Sequence, residues 1–225
     1  MRTDTPKTIY LKDYTPPPYT VKHLDLRFEI FDGRTVVHAT AQYEKAAGGA
    51  LFLNGEDLKL ISVKLDGAEI EPQTDDHGMT IEPAKDKFTL EIVTEIVPEK
   101  NTRLEGLYNS GGTYCTQCEA EGFRRITYYQ DRPDVMTTFT VRVEADEKAC
   151  PVLLSNGNMK EKGALGGGRH FTVWDDPTPK SCYLFALVAG GLVHIRDTFT
   201  TRSGRKVDLY IYVRKGDESQ CGHAM

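Results

Sequence analysis

The chain has 225 residues, of which 39% are hydrophobic and 27% charged; 28 Lys and Arg stand against 33 Asp and Glu, a formal charge of −5. That composition supplies a core for one large all-β domain, or for one domain and part of another. It offers no basic patch of the kind that nucleic acid requires. No apolar run reaches the roughly 18 residues of a membrane-spanning helix, so neither nucleic acid nor membrane is expected as a partner. The N-terminus lacks the apolar stretch of a signal peptide, and five cysteines, an odd number, read as free thiols; both lead to the expectation of a cytoplasmic location.

In chain order, residues 1–19 form a lead-in closed by Pro16-Pro17-Pro18, which enforces an extended backbone. Thr20–Ile30 alternates cleanly, with Leu24, Leu26, Phe28 and Ile30 on one face and His23, Asp25, Arg27 and Glu29 on the other, as a half-buried strand does. Asp32-Gly33 turns the chain into Arg34–Tyr43, a hairpin partner. Strands are expected at Leu51–Leu53, Leu58–Leu65, Ala68–Glu71, Met79–Glu82 and Phe88–Val97, separated by turns such as Asn54-Gly55-Glu56-Asp57. Turn signals at this spacing, without helical periodicity, predict an antiparallel sandwich or open barrel.

Residues 98–114 read as irregular. A polar knot follows at 115–134, with Gln117, Glu119, Glu121, Arg124, Arg125, Tyr128, Tyr129 and Arg132 crowded together. After Pro133 a helical turn is expected at Asp134–Met136. Strands resume at Thr137–Ala145, Val152–Leu154, Arg169–Asp175 and Ser181–Ala189, with Gly163–Gly168 as a hairpin tip. The apolar run within Ser181–Ala189 predicts a strand buried on both faces. Ala189-Gly190-Gly191 is the expected domain boundary; Val193–Thr201 and Arg205–Val213 form a further hairpin, and the chain reads as cut at Met225.

For chemistry, Cys115-x-x-Cys118 has the spacing of half a zinc or redox site, but Cys150, Cys182 and Cys221 are isolated and no helix follows. Interior thiols are the simpler reading. No Gly-x-Ser-x-Gly elbow and no histidine pair of metal-binding helical spacing is present. Glu119 and Glu121, two apart on a strand, would share a face with Gln117. That arrangement suits either a cleft or a solvated edge strand.

Thr116-Gln117-Cys118-Glu119-Ala120-Glu121-Gly122-Phe123-Arg124, followed by Tyr128-Tyr129-Gln130-Asp131-Arg132-Pro133-Asp134, resembles the N-terminal domain of the bacterial aminopeptidase N family of zinc aminopeptidases. Leu53–Leu60, Leu154–Asn158, Cys182–Gly190 and Arg196–Arg205 extend the resemblance, which runs from about Tyr14 to Asp217. It implies an all-β, saddle-like sandwich at residues 1–191 and the opening strands of a thermolysin-like catalytic domain at 192–225. The family's Gly-x-Met-Glu-Asn loop and its zinc-binding helix do not occur in these residues. The resemblance therefore implies no catalytic or metal ligand in this chain, and one zinc ion in the parent enzyme. It assigns Gln117 and Glu119 to holding the free α-amino group of a peptide substrate, and Glu121, Arg124 and Tyr128–Pro133 to support.

Those residue types suit the task, because a terminal ammonium offers only donors whereas a Gln carbonyl and a Glu carboxylate accept. The expected partners are the peptide's N-terminus and the remaining domains of the same protein. A free-standing β-sandwich interaction module is the alternative, and a cysteine-based redox or metal protein a third.

Overall fold

The computed structural model describes residue 8 and residues 10–225. In chain order its strands are β1 (Tyr19–Phe31), β2 (Arg34–Lys45), β3 (Leu51–Asn54), β4 (Lys59–Leu65), β5 (Ala68–Glu69), β6 (Gln73–Asp75), β7 (Gly78–Ile81) and β8 (Lys87–Ile96). They continue as β9 (Gly106–Ser110), β10 (Thr113–Gln117), β11 (Thr137–Asp146), β12 (Val152–Ser155), β13 (Asn158–Gly166), β14 (Arg169–Lys180), β15 (Leu187–Gly190), β16 (Leu192–Thr200) and β17 (Lys206–Arg214). Short 3₁₀ turns are the only helical elements among the described residues. The fold is all-β, as the turn spacing predicts. Residues 1–7 and 9 of the expected lead-in lie outside the described residues.

Eight strands form one long sheet in the order β13-β14-β11-β1-β2-β8-β4-β5. Its centre is built by the alternation in β1, where Leu24, Leu26, Phe28 and Ile30 are all buried, none more than 3% exposed. Gly33, at φ 73°, closes the hairpin to β2. Sequence spacing does not foresee that β1 also pairs with β11 in parallel, Leu24 beside Phe139, Leu26 beside Val141 and Phe28 beside Val143. The long stretch between these strands makes the parallel crossover possible, and both present their apolar side chains to one core. A second sheet, in the order β12-β15-β10-β9, and a third, β3-β7-β6, complete the body.

Several local expectations are corrected. Residues 98–114 are not irregular throughout, because β9 and β10 pair from Gly106↔Gln117 to Ser110↔Thr113. β6 and the edge strand β13 carry no hydrophobic alternation and escape pattern reading. The run Ser181–Ala189 is broken by a 3₁₀ turn at Cys182–Leu184 before β15 begins. Cys182 and Phe185 point inward while Leu184 is 51% exposed. An apolar run alone does not fix the backbone that buries it. Pro133-Asp134 makes a simple turn and no helix.

Phe123, fully buried, ties the polar knot to both large sheets. Its ring lies 6.4 Å from Phe139 of β11, 5.4 Å from Phe185 ahead of β15 and 5.2 Å from Tyr129. The terminal hairpin β16–β17 is a separate two-stranded sheet, with Phe199 58% and Tyr210 45% exposed.

Candidate functional site

Strand β10 ends at Gln117, and the chain then turns sharply instead of continuing. Glu119 and Glu121 are therefore not alternate residues of one strand, as expected from their spacing; both sit in the turn at 118–122. The physical reason is at either end of that turn. Cys118 is 2% exposed and points into the core, while the N–H of Gly122 donates back to the Cys118 carbonyl at 2.8 Å. The Glu119–Ala120 peptide is cis.

Gly122 lies so close to the strand that a β-carbon there would stand 2.4 Å from the Gln117 carbonyl oxygen and 2.9 Å from the Gly106 nitrogen. Only glycine fits between the turn and the β9–β10 ladder.

Gln117 and Glu119 come together at the exposed end of β10. Gln117 Nε2 donates to the Glu119 carbonyl at 3.2 Å, which leaves Oε1 as the side chain's acceptor. The Glu119 carboxylate has no hydrogen-bond or ion-pair partner among the described residues. Glu121, also exposed, pairs at 3.6 Å with Arg124.

Beneath the turn lies an ion network that residue spacing does not reveal. Arg124 Nε donates to Asp131 Oδ2 at 2.8 Å, and the Arg124 backbone N–H reaches the same oxygen at 3.2 Å. The other Asp131 oxygen accepts from Cys182 Sγ at 3.1 Å. Arg125 faces the opposite way, contacting Glu56 and Asp57 in the 54–57 turn and donating to Glu105 at 3.1 Å. Arg125 also lines a cleft of about 470 Å³ with Lys100, Asn101 and Arg103. The sequence shows the adjacent arginines and the acidic Asn-Gly turn as separate features, 68 positions apart from Asp57 to Arg125, and which acid meets which arginine is a property of the fold.

The turn at 54–57 is itself pinned to the knot. Asn54 and Tyr129 exchange backbone hydrogen bonds at 2.8 and 3.1 Å, and Glu56 N–H donates to the Arg124 carbonyl at 3.0 Å. A β-carbon on Gly55 would fall 2.3 Å from the Tyr128 ring. Tyr128 and Tyr129 are thus packing elements, 9% and 1% exposed.

All five cysteines are free. Burial, aided by the charge of Asp131, pushes the Cys118 and Cys182 thiols far above the usual thiol range. Burial pushes Cys150 up to about 11. These groups stay protonated near neutral pH and are poor nucleophiles or metal ligands. Among the described residues no group of three or more His, Cys, Asp or Glu side chains gathers in a way that fits a metal ion.

Comparison with known proteins agrees with this architecture. The family model of the peptidase M1 N-terminal domain matches residues 16–184. The chain is 49% identical over 226 residues to aminopeptidase N of Escherichia coli, covering 99% of this chain and 26% of that protein. Aminopeptidase A of Legionella pneumophila, solved in complex with aspartic acid, superposes with a TM-score of 0.89 at 32% identity, over 95% of this chain and 26% of that one. The M1 zinc metallopeptidase of Deinococcus radiodurans shares the fold, with a TM-score of 0.74 at 17% identity, over 89% of this chain and 48% of that one. The chain spans about a quarter of the length of its aminopeptidase N relative. Its all-β body, its turn at 118–122 and these matches together show that the chain belongs to the peptidase M1 family, as its N-terminal domain.

Proposed function

We propose that this domain forms one wall of the substrate site of a zinc aminopeptidase that releases N-terminal residues from peptides. In this reading Gln117 Oε1 and the Glu119 carboxylate accept hydrogen bonds from the substrate's α-ammonium. The observation that carries it is the Glu119 carboxylate, exposed and unpartnered beside Gln117, on a turn whose inner side is packed against buried backbone.

The local charge supports the same reading. Glu119 and Glu121 lie on the turn and Glu56 beside it, all at least partly exposed, with Arg124 between Glu56 and Glu121. An acidic surface of this kind draws in a cationic terminus.

Among the described residues no group of His, Cys, Asp or Glu side chains fits a zinc ion. Zinc held elsewhere in the parent protein would supply the hydrolytic chemistry. Here the chain's own residues bind and orient: they fix the amine and so place the first peptide bond at a set distance from the wall. A peptide blocked at its amine has no ammonium to offer and leaves Glu119 unanswered.

We also place the start of the next domain after Gly191. The separate β16–β17 sheet and the end of the family match at residue 184 support that division. Buried and free thiols support a reducing, cytoplasmic location.

The test is Glu119→Ala in the full-length protein. A charge-assisted hydrogen bond contributes roughly 1.5–3 kcal/mol, so kcat/KM for a peptide should fall roughly 10- to 150-fold, with KM raised. An unchanged kcat/KM would remove the amine-anchor assignment.

A further inference from the structure

We propose that Arg124 is the positioning residue of the amine anchor, holding the 118–122 turn, and with it Glu119, to the buried Asp131. The inference rests on the assignment of Gln117 and Glu119 given above.

The turn is short, and its own hydrogen bonds are few: Gly122 N–H to Cys118 O at 2.8 Å and Gln117 Nε2 to Glu119 O at 3.2 Å. Arg124 reaches the turn through Glu121 at 3.6 Å. That guanidinium is 11% exposed and contacts three carboxylates in different directions, Asp131 at 2.8 Å, Glu56 at 3.6 Å and Glu121 at 3.6 Å.

Its base is buried and hydrogen-bonded on both sides. The Asp131 side chain is 1% exposed, its second oxygen accepts from Cys182, and its backbone N–H donates to Asn54 Oδ1 at 3.2 Å. The planar fork of an arginine converts that fixed base into a fixed direction for Glu121, two residues from Glu119. A lysine keeps the charge but reaches one carboxylate at a time, so the link from Asp131 to Glu121 is lost while Asp131 keeps a counter-charge. Since misplacement of a bound group by about 1 Å costs up to about 10²-fold, loosening this turn should be read directly in substrate binding.

The experiment uses the full-length protein and an alanyl chromogenic amide, with Arg124→Lys, Glu119→Ala and the double variant. Arg124→Lys should raise KM on the order of tenfold while kcat stays within about twofold. In the Glu119→Ala background the same change should raise KM no further, because there is no anchor left to position. A multiplicative effect in the double variant, a loss of kcat at constant KM, or an unchanged KM would each overturn the inference while leaving the amine anchor standing. If Glu119→Ala alone leaves KM unchanged, the anchor reading fails first and takes the inference with it.

Glu121→Gln decides the matter should Arg124→Lys fail to fold, since it leaves the Arg124–Asp131 pair intact. It should raise KM in the same sense by a smaller factor, again only when Glu119 is present; an equal rise without Glu119 would overturn the proposal.

Discussion

Gly122→Ala isolates the packing that sets the turn. Gly122 has φ −90° and ψ −17°, a conformation open to any residue. On backbone freedom alone, alanine would therefore stabilise by about 0.4–1 kcal/mol. Space reverses the sign. The new β-carbon would stand 2.4 Å from Gln117 O, 2.9 Å from Gly106 N and 3.0 Å from Cys118 Cα. All three are backbone atoms, so relief requires moving the β9–β10 ladder or the turn itself. Overpacking of this kind costs typically 1–3 kcal/mol, and rigid neighbours put it at the upper end. The net loss is about 2 kcal/mol, which for a chain of this size lowers Tm by about 4–8 °C. The assay is thermal unfolding of the 225-residue chain followed by circular dichroism. Gly48→Ala is the control, because a β-carbon there meets no atom within 4 Å; its change should stay within about 0.5 kcal/mol. If Gly122→Ala melts no lower than Gly48→Ala, the close approach is not what shapes the turn.

Two further outcomes follow from the core and from the surface. Phe123→Ala empties a fully buried site bounded by Tyr129, Phe139 and Phe185 and should cost about 3–5 kcal/mol in denaturant unfolding; a loss below about 1 kcal/mol would mean that the knot is not a structural plug. Asp134 is held below its ordinary value of 3.8 chiefly by its hydrogen bond from Arg132, with Tyr14 also donating to it. A depressed carboxylate stabilises fully above its unfolded value and loses that contribution as pH falls through the folded one. Asp134→Asn should therefore be less stable than the parent at pH 6 by on the order of 0.5 kcal/mol after screening, with the gap closing as pH falls below about 4; a gap independent of pH would refute the pairing.

The sheet core was legible because its signal is local. The alternation in Thr20–Ile30 and in Phe88–Val97 maps directly onto the buried faces of β1 and β8. Missed elements lack that signal for identifiable reasons. β13 is an exposed edge strand, with no buried face to write a pattern, and the parallel partnership of β1 with β11 is a choice between distant segments. At the site, resemblance singled out Gln117 and Glu119, and the fold does bring them together. The strand geometry expected for Glu119 and Glu121 failed because Gly122, not alternation, decides where β10 stops. Asp131 was legible only as one acid in a motif; its role as a buried counter-ion depends on Cys182, 51 positions away.

Arg124 and Arg125 are neighbours in sequence and both nearly buried, at 11% and 6% side-chain exposure, yet their loss should not cost the same. What differs is what each leaves behind. Buried ion pairs contribute little net stability, because desolvation offsets attraction, but stripping one partner leaves the other stranded. Around Arg125 the carboxylates of Glu56, Asp57 and Glu105 are 25%, 68% and 44% exposed. Water can rehydrate them when Arg125→Met removes the guanidinium, and the methionine refills the apolar volume. Asp131 has no such recourse at 1% exposure; after Arg124→Met it retains only neutral donors, the backbone N–H of position 124 and the Cys182 thiol, and its charge is left uncompensated. Arg124→Met should therefore cost about 3–5 kcal/mol and Arg125→Met about 1–2 kcal/mol. Urea unfolding of both variants at neutral pH measures this directly. Equal losses, or a larger loss for Arg125→Met, would show that exposure of the partner carboxylates does not govern the cost, and the account of Asp131 as the fixed base of the turn would fall with it.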